Sequence, residues 1–142
     1  MTDRYQIAKE LGEDEFGVVN LADDTMLQRR VMLRHIEYGE NPEVKARDDS
    51  WKKEFTQYAG TLSAMQHPNM LAIYDISVQG NGADVVTQLV KGDVLADRLE
   101  RGALAQMGVY KMASDILEAL HAAHEAGVYH GGLHMGLSLI HI

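Results

Sequence analysis

The chain has no cysteine and only two prolines in 142 residues. Disulfide bridges and thiolate metal sites are therefore excluded. No uninterrupted apolar run approaches the roughly 18–20 residues needed to cross a bilayer as a helix. Basic residues are also in deficit, giving a formal net charge of −8. That balance argues against a nucleic-acid or anionic-membrane partner, and no membrane insertion is expected. The opening segment "MTDRYQIAKE" lacks the apolar core of a signal peptide. A cytoplasmic protein is the simplest expectation. What remains is an ordinary globular composition, 46% hydrophobic and 24% charged, at a length suited to one core.

Three strand patterns come first. "RYQIAKEL" carries Tyr5, Ile7 and Leu11, "GVVNLAD" carries Val18, Val19 and Leu21, and "RRVMLRHI" carries Val31, Leu33 and Ile36. Turn residues separate them at 12–17 and 23–25. A polar loop with Pro42 spans 39–50. Trp51, Phe55, Tyr58, Ala59, Leu62 and Met65 then recur at helical spacing up to the stop at Pro68. "NMLAIYDISVQ" and "ADVVTQLV" predict two further strands around the turn at 80–82. Beyond Lys91-Gly92, a short helix is predicted over 93–100 and a long one over 105–125. Val109, Met112, Ala113, Ile116, Leu117, Leu120 and Ala123 form the apolar stripe of the long helix, and Gly127 is its stop. The fold class is α+β.

Four stretches in this order resemble a protein kinase of the bacterial serine/threonine type. They are "LGEDEFGVV" (11–19), "VMLR" (31–34), "HPNMLAIYD" (67–75) and "ILEALHAAHEAGVYHGGL" (116–133). The resemblance covers nearly all of this chain but only about the first half of the family's domain. It implies a kinase N-lobe-like domain over 1–91, a five-stranded antiparallel sheet with one helix C. Residues 92–142 would be a truncated C-lobe stub with helices D and E, a degenerate catalytic loop and a strand-like tail.

Set in the family's frame, several working positions are altered. Gly12, Phe16, Gly17 and Val19 fit the glycine-rich loop, but the middle glycine is Asp14, between Glu13 and Glu15. The strand lysine is Arg34, an exchange that keeps charge but changes geometry. The helix C glutamate falls at Tyr58, with Glu54 one turn earlier. In "HGGLHMGLS", His130 and Leu133 match, while Gly131, Gly132, His134 and Leu137 replace the arginine, the catalytic aspartate, the lysine and the metal-binding asparagine. Glycine accepts no proton and leucine grips no magnesium. This pattern implies a pseudokinase, not an enzyme, with no catalytic, cofactor or metal residues and with ATP binding disfavoured.

The function expected on that basis is protein–protein interaction or scaffolding, through a homodimer or another protein. The interface would use Val109, Met112, Ile116 and Leu120 of the long helix and Leu133, Met135, Leu137 and Leu139 of the tail, which reads as a strand with an unpaired edge. Two alternatives stay open. One is a nucleotide-binding regulator with adenine near Thr87, Gln88 and Leu89, the segment similar to the family's hinge. The other is a weakly active serine/threonine kinase. The histidine pairs 121/124 and 130/134 read as surface and loop residues, not metal ligands.

Overall fold

A computed structural model of the chain describes residues 3–14, 17–37, 50–130 and 139–140. Its backbone divides into two units, Met1–Gln66 with Leu71–Leu89, and His67–Met70 with Val90–Ile142.

The first unit is built on a five-stranded antiparallel sheet. Strands β1 (Tyr5–Asp14), β2 (Gly17–Asp24), β3 (Arg29–Glu37), β4 (Ile73–Gln79) and β5 (Gly82–Gln88) lie in the order β1-β2-β3-β5-β4. β-Branched and aliphatic residues dominate the middle strands, as a pleated surface buried on one side requires. Residues opposed across the ladders share a face, so Ala22, Val31 and Leu33 lie with Val86. With Tyr5 they form the core, in which Ala22, Val31 and Val86 are wholly buried. Each of the two valines contributes roughly 1.5–3 kcal/mol.

β1 departs from the simple alternation expected of it. Tyr5 is buried, yet Ile7 and Leu11 are 61% and 48% exposed. Register shifts between Ile7 and Lys9 and between Glu10 and Gly12 break the two-residue period. On an edge strand such irregularities turn later side chains away from the core.

Helix α1 (Ser50–Ala64) lies beside β4. Phe55, Ala59 and Leu62 face inward at helical spacing, and Ala59 is buried. The Thr56 and Thr61 hydroxyls of this helix donate to the carbonyls of Lys52 and Gln57 at 2.7 and 3.0 Å. Threonine and the mid-helix Gly60 are weak helix formers, so this helix depends on its packing.

The second unit contains α2 (Leu95–Glu100), α3 (Gln106–Glu125) and two short strands, β6 (Asp93–Val94) and β7 (Leu139–Ile140). The short helix is thus preceded by a strand at 93–94, where helix was expected. β6 pairs antiparallel with β7. The tail strand therefore has a backbone partner along one edge at 139–140. Gly127, at φ 78°, ends α3, with its N–H donating to His124 O and that of Val128 to Ala123 O, both at 2.9 Å. That double closure satisfies the last carbonyls of the helix. The turn at 67–70 joins this unit through Asn69, whose amide donates to the Asp115 carbonyl of α3 at 3.0 Å.

Candidate functional site

The β1–β2 hairpin is held by glycine at both ends. Gly12 and Gly17 take φ of 152° and 121°, a region side chains rarely adopt. Gly17 has a second constraint, because a Cβ there would overlap the backbone carbonyl of His35 on β3. The hairpin's return is thus seated directly on the neighbouring strand. Glu13, on the outgoing arm, is exposed to solvent.

The ladder registers place Arg34 in one row with this hairpin. Gly12 stands opposite Val19, Val19 opposite Arg34, Arg34 opposite Val85, and Val85 opposite Ile76. The next row toward the far end runs Lys9, Leu21, Met32, Thr87 and Ile73. Both rows lie on the face opposite Val31 and Val86. Arg34 is half-buried among aliphatic neighbours. Such a setting strengthens its attraction for an anion relative to a fully solvated cation. Glu54 is exposed and Tyr58 is 52% exposed. The packing of Tyr58 into a sheet–helix core, implied by its place in the stripe, is taken instead by Ala59.

Two polar clusters flank the core. At the β2–β3 turn, Asp24 is buried and accepts from Arg4 Nε and Nη2, both at 2.9 Å, and from the backbone N–H groups of Met26 and Leu27 at 3.1 and 3.2 Å. The Arg4 hydrogen bonds, with help from those amides and against the effect of burial, hold its carboxyl well below the usual range. Tyr5 donates to Asp75 Oδ2 at 3.1 Å. Burial, with that carboxylate second, pushes its phenol up to about 12. At the other end of the core face, His35 Nδ1 lies 2.6 Å from Asp84 Oδ1 and Nε2 lies 3.5 Å from Glu37 Oε1. Sequence reasoning missed both clusters, although a signal for the second was present. The alternation Val31, Leu33, His35 was the available signal, since it puts the imidazole on the core face.

The proposed interface residues fall unevenly. On α3, Val109 is 40% exposed, while Met112, Ile116 and Leu120 are half-buried. The most exposed apolar side chains of that helix are Met107, Leu117 and Tyr110. Leu139 lies in β7, and Leu133, Met135 and Leu137 lie outside the described residues, as do Phe16 and the loop positions Gly131, Gly132 and His134. Among the described residues there is no group of three or more histidine or acidic side chains able to hold a metal ion. No helix among the described residues is long and apolar enough to cross a membrane.

Residues 5–135 match the protein kinase domain. Among curated relatives, the serine/threonine-protein kinase PksC of Streptomyces coelicolor is 28% identical over 144 residues, covering 94% of this chain and 25% of its own length. PrkC of Bacillus subtilis, also a serine/threonine-protein kinase, is 27% identical over 128 residues, covering 89% and 19%. The chain thus spans a quarter or less of these relatives. The crystal structure of the Mycobacterium tuberculosis PknI kinase domain superposes with a TM-score of 0.78 at 20% identity, over 96% of this chain and 54% of that one. Rad53 in complex with AMP-PNP gives 0.78 at 20% identity, over 96% and 34%.

These matches overturn two expectations, that the chain is not an enzyme and that ATP binding is disfavoured. The physical error lies in the weight given to each altered residue. A missing general base costs about 10²–10⁴-fold, a fraction of the 10⁶-fold or more that enzymes typically supply. Phosphoryl transfer asks chiefly for positioning and charge stabilisation. The exposed Glu13 carboxylate on the hairpin is screened by water and salt.

Proposed function

The chain belongs to the protein kinase domain family, and from that premise we propose that it is a kinase-type nucleotide-binding domain. Its first unit holds a nucleoside triphosphate and supports slow phosphoryl transfer to serine or threonine. The observation that carries this reading is the single row joining Gly12, Val19 and Arg34. Hairpin glycines let backbone N–H groups approach phosphate oxygens, and Arg34 supplies a fixed cation at the same end of the sheet. The row of Leu21, Met32 and Thr87 beyond it offers apolar surface and a hydroxyl to the rest of the nucleotide. The AMP-PNP complex of Rad53, a protein of the same fold, and the kinase names of PksC and PrkC support the same reading.

The slow rate follows from Gly132, which has no group to take the hydroxyl proton of the acceptor. Thermal denaturation with and without millimolar ATP tests the binding half. At about 100 times Kd a bound ligand adds about 2.7 kcal/mol, a readily measured rise in Tm. Transfer of label from γ-labelled ATP to a serine or threonine peptide tests the second half. An unchanged Tm at millimolar nucleotide overturns the proposal as a whole. A rise in Tm without label transfer leaves binding and removes catalysis.

A further inference from the structure

His35 stands at a junction the nucleotide reading does not use. Across the sheet it is opposed by Val18 of β2 and Asp84 of β5. Its Nδ1 is 2.6 Å from Asp84 and its Nε2 is 3.5 Å from Glu37 on its own strand. Its backbone carbonyl is the surface against which Gly17 closes the hairpin, and its ring Cε1 lies 3.5 Å from where a Cβ on Gly82 would stand. One residue thus touches the returns of both hairpins that flank it.

The chemistry of the ring decides what this arrangement does. A cationic imidazolium donates from both nitrogens and can satisfy both carboxylates. A neutral ring donates from one only and turns a lone pair toward the other carboxylate. Among the described residues, its cross-strand neighbours on this face add no cation. Val18 is apolar, Glu13 beyond it on β1 is acidic, Ser77 opposite Asp84 is neutral, and Arg34 alternates to the other face.

We propose that His35 is a proton-operated latch that fastens β3 to β5 and steadies the base of the glycine hairpin. Protonated, it bridges two carboxylates beneath the Gly17 turn. Deprotonated, it releases Glu37 and keeps Asp84 only through a neutral hydrogen bond, about half as strong as the charge-assisted one, so the tie from β3 to β5 weakens. The Asp84 hydrogen bond, opposed by partial burial and aided by Glu37, raises the imidazole above its ordinary value of 6.5. A group raised on folding stabilises below its unfolded value, and that contribution is lost as pH rises through the folded one. The latch is therefore closed in mild acid and opens on the alkaline side of 6.5.

The test is an NMR titration of the intact chain, following the His35 ring and the amides of Gly17 and Gly82. The expected result is a ring midpoint above 6.5, with both glycine amides shifting at that same midpoint. Asp84→Asn should bring the midpoint back down toward 6.5. It should also melt roughly 2 °C or more below the native chain near pH 6, the gap closing by about pH 9. A midpoint at or below 6.5, glycine amides that do not follow it, or a melting gap independent of pH overturns the proposal. Should Asp84→Asn fail to fold, Glu37→Gln at the exposed second contact and the native titration decide it. None of these readouts involves nucleotide, so the latch stands or falls apart from the binding reading.

Discussion

Tyr5 and Asp75 are 70 residues apart and sit on opposite edge strands of the sheet, yet the phenol hydroxyl donates to the carboxylate at 3.1 Å. In a flat sheet β1 and β4 would be about 19 Å apart, four strand spacings of about 4.8 Å. That is several times the reach of a tyrosine. The sheet must therefore coil until its edges approach at this end, enclosing Ala22, Val31 and Val86. Arg29, on β3, lies over the Tyr74 ring of β4 at 3.7 Å and adds to the same closure. Tyr5→Phe should cost about 0.5–1.5 kcal/mol by leaving Asp75 short of a donor. Tyr5→Ala should cost about 3–5 kcal/mol, because the ring that fills the coil is lost as well. Urea denaturation of both variants separates the hydrogen bond from the packing.

Asp24 predicts acid sensitivity. Its folded carboxyl titrates below its ordinary value of 3.8, held there first by Arg4. A group depressed on folding stabilises above its unfolded value, and that contribution is lost as pH falls through the folded one. Asp24→Asn should therefore lower Tm most near neutral pH. The gap to the native chain should narrow as pH drops below about 4. A gap that stays constant from neutral pH to about pH 3 would show that Asp24 acts through packing alone.

The sequence makes most of these elements legible, for identifiable reasons. Middle strands β2, β3 and β5 follow their β-branched alternation because both of their edges are paired, and α3 follows its stripe to a glycine stop. What alternation cannot convey is register. The shifts in β1 that expose Ile7, the approach of Tyr5 to Asp75, and the meeting of His35 with Asp84 all depend on long-range pairing. The site was legible as a set of altered positions, and misread in energy. Counting lost side chains ignored what backbone amides contribute. The strand at 93–94 was hidden because its partner lies 46 residues further along.

Glycine substitutions separate conformational need from mere presence. Gly17→Ala meets the His35 carbonyl at a φ that L-residues avoid. Such strain costs on the order of 1–3 kcal/mol, and it should also weaken nucleotide binding by displacing the hairpin. Gly60→Ala, mid-helix in α1 with nothing within 4 Å of the new Cβ, should stabilise by about 0.5–1 kcal/mol. Opposite shifts in Tm for two identical chemical changes check the assignment. A destabilised Gly60→Ala would mean that α1 makes a contact the described residues do not include.

Arg34 decides whether the row of Gly12, Val19 and Arg34 reads phosphate. If it does, its charge pairs with the triphosphate and not with the base. Arg34→Ala should weaken ATP binding by about 10–100-fold, the equivalent of about 1.5–3 kcal/mol for a charged hydrogen bond. Adenosine binding should change little, because it brings no phosphate to the cation. Arg34→Lys should recover only part of the loss, since a point charge on a flexible stem cannot reproduce two parallel N–H contacts. Calorimetric titration of the three chains with ATP, ADP and adenosine gives the pattern directly. Equal losses for ATP and adenosine would assign Arg34 to the sheet's stability, and would move the phosphate site away from this end of β3.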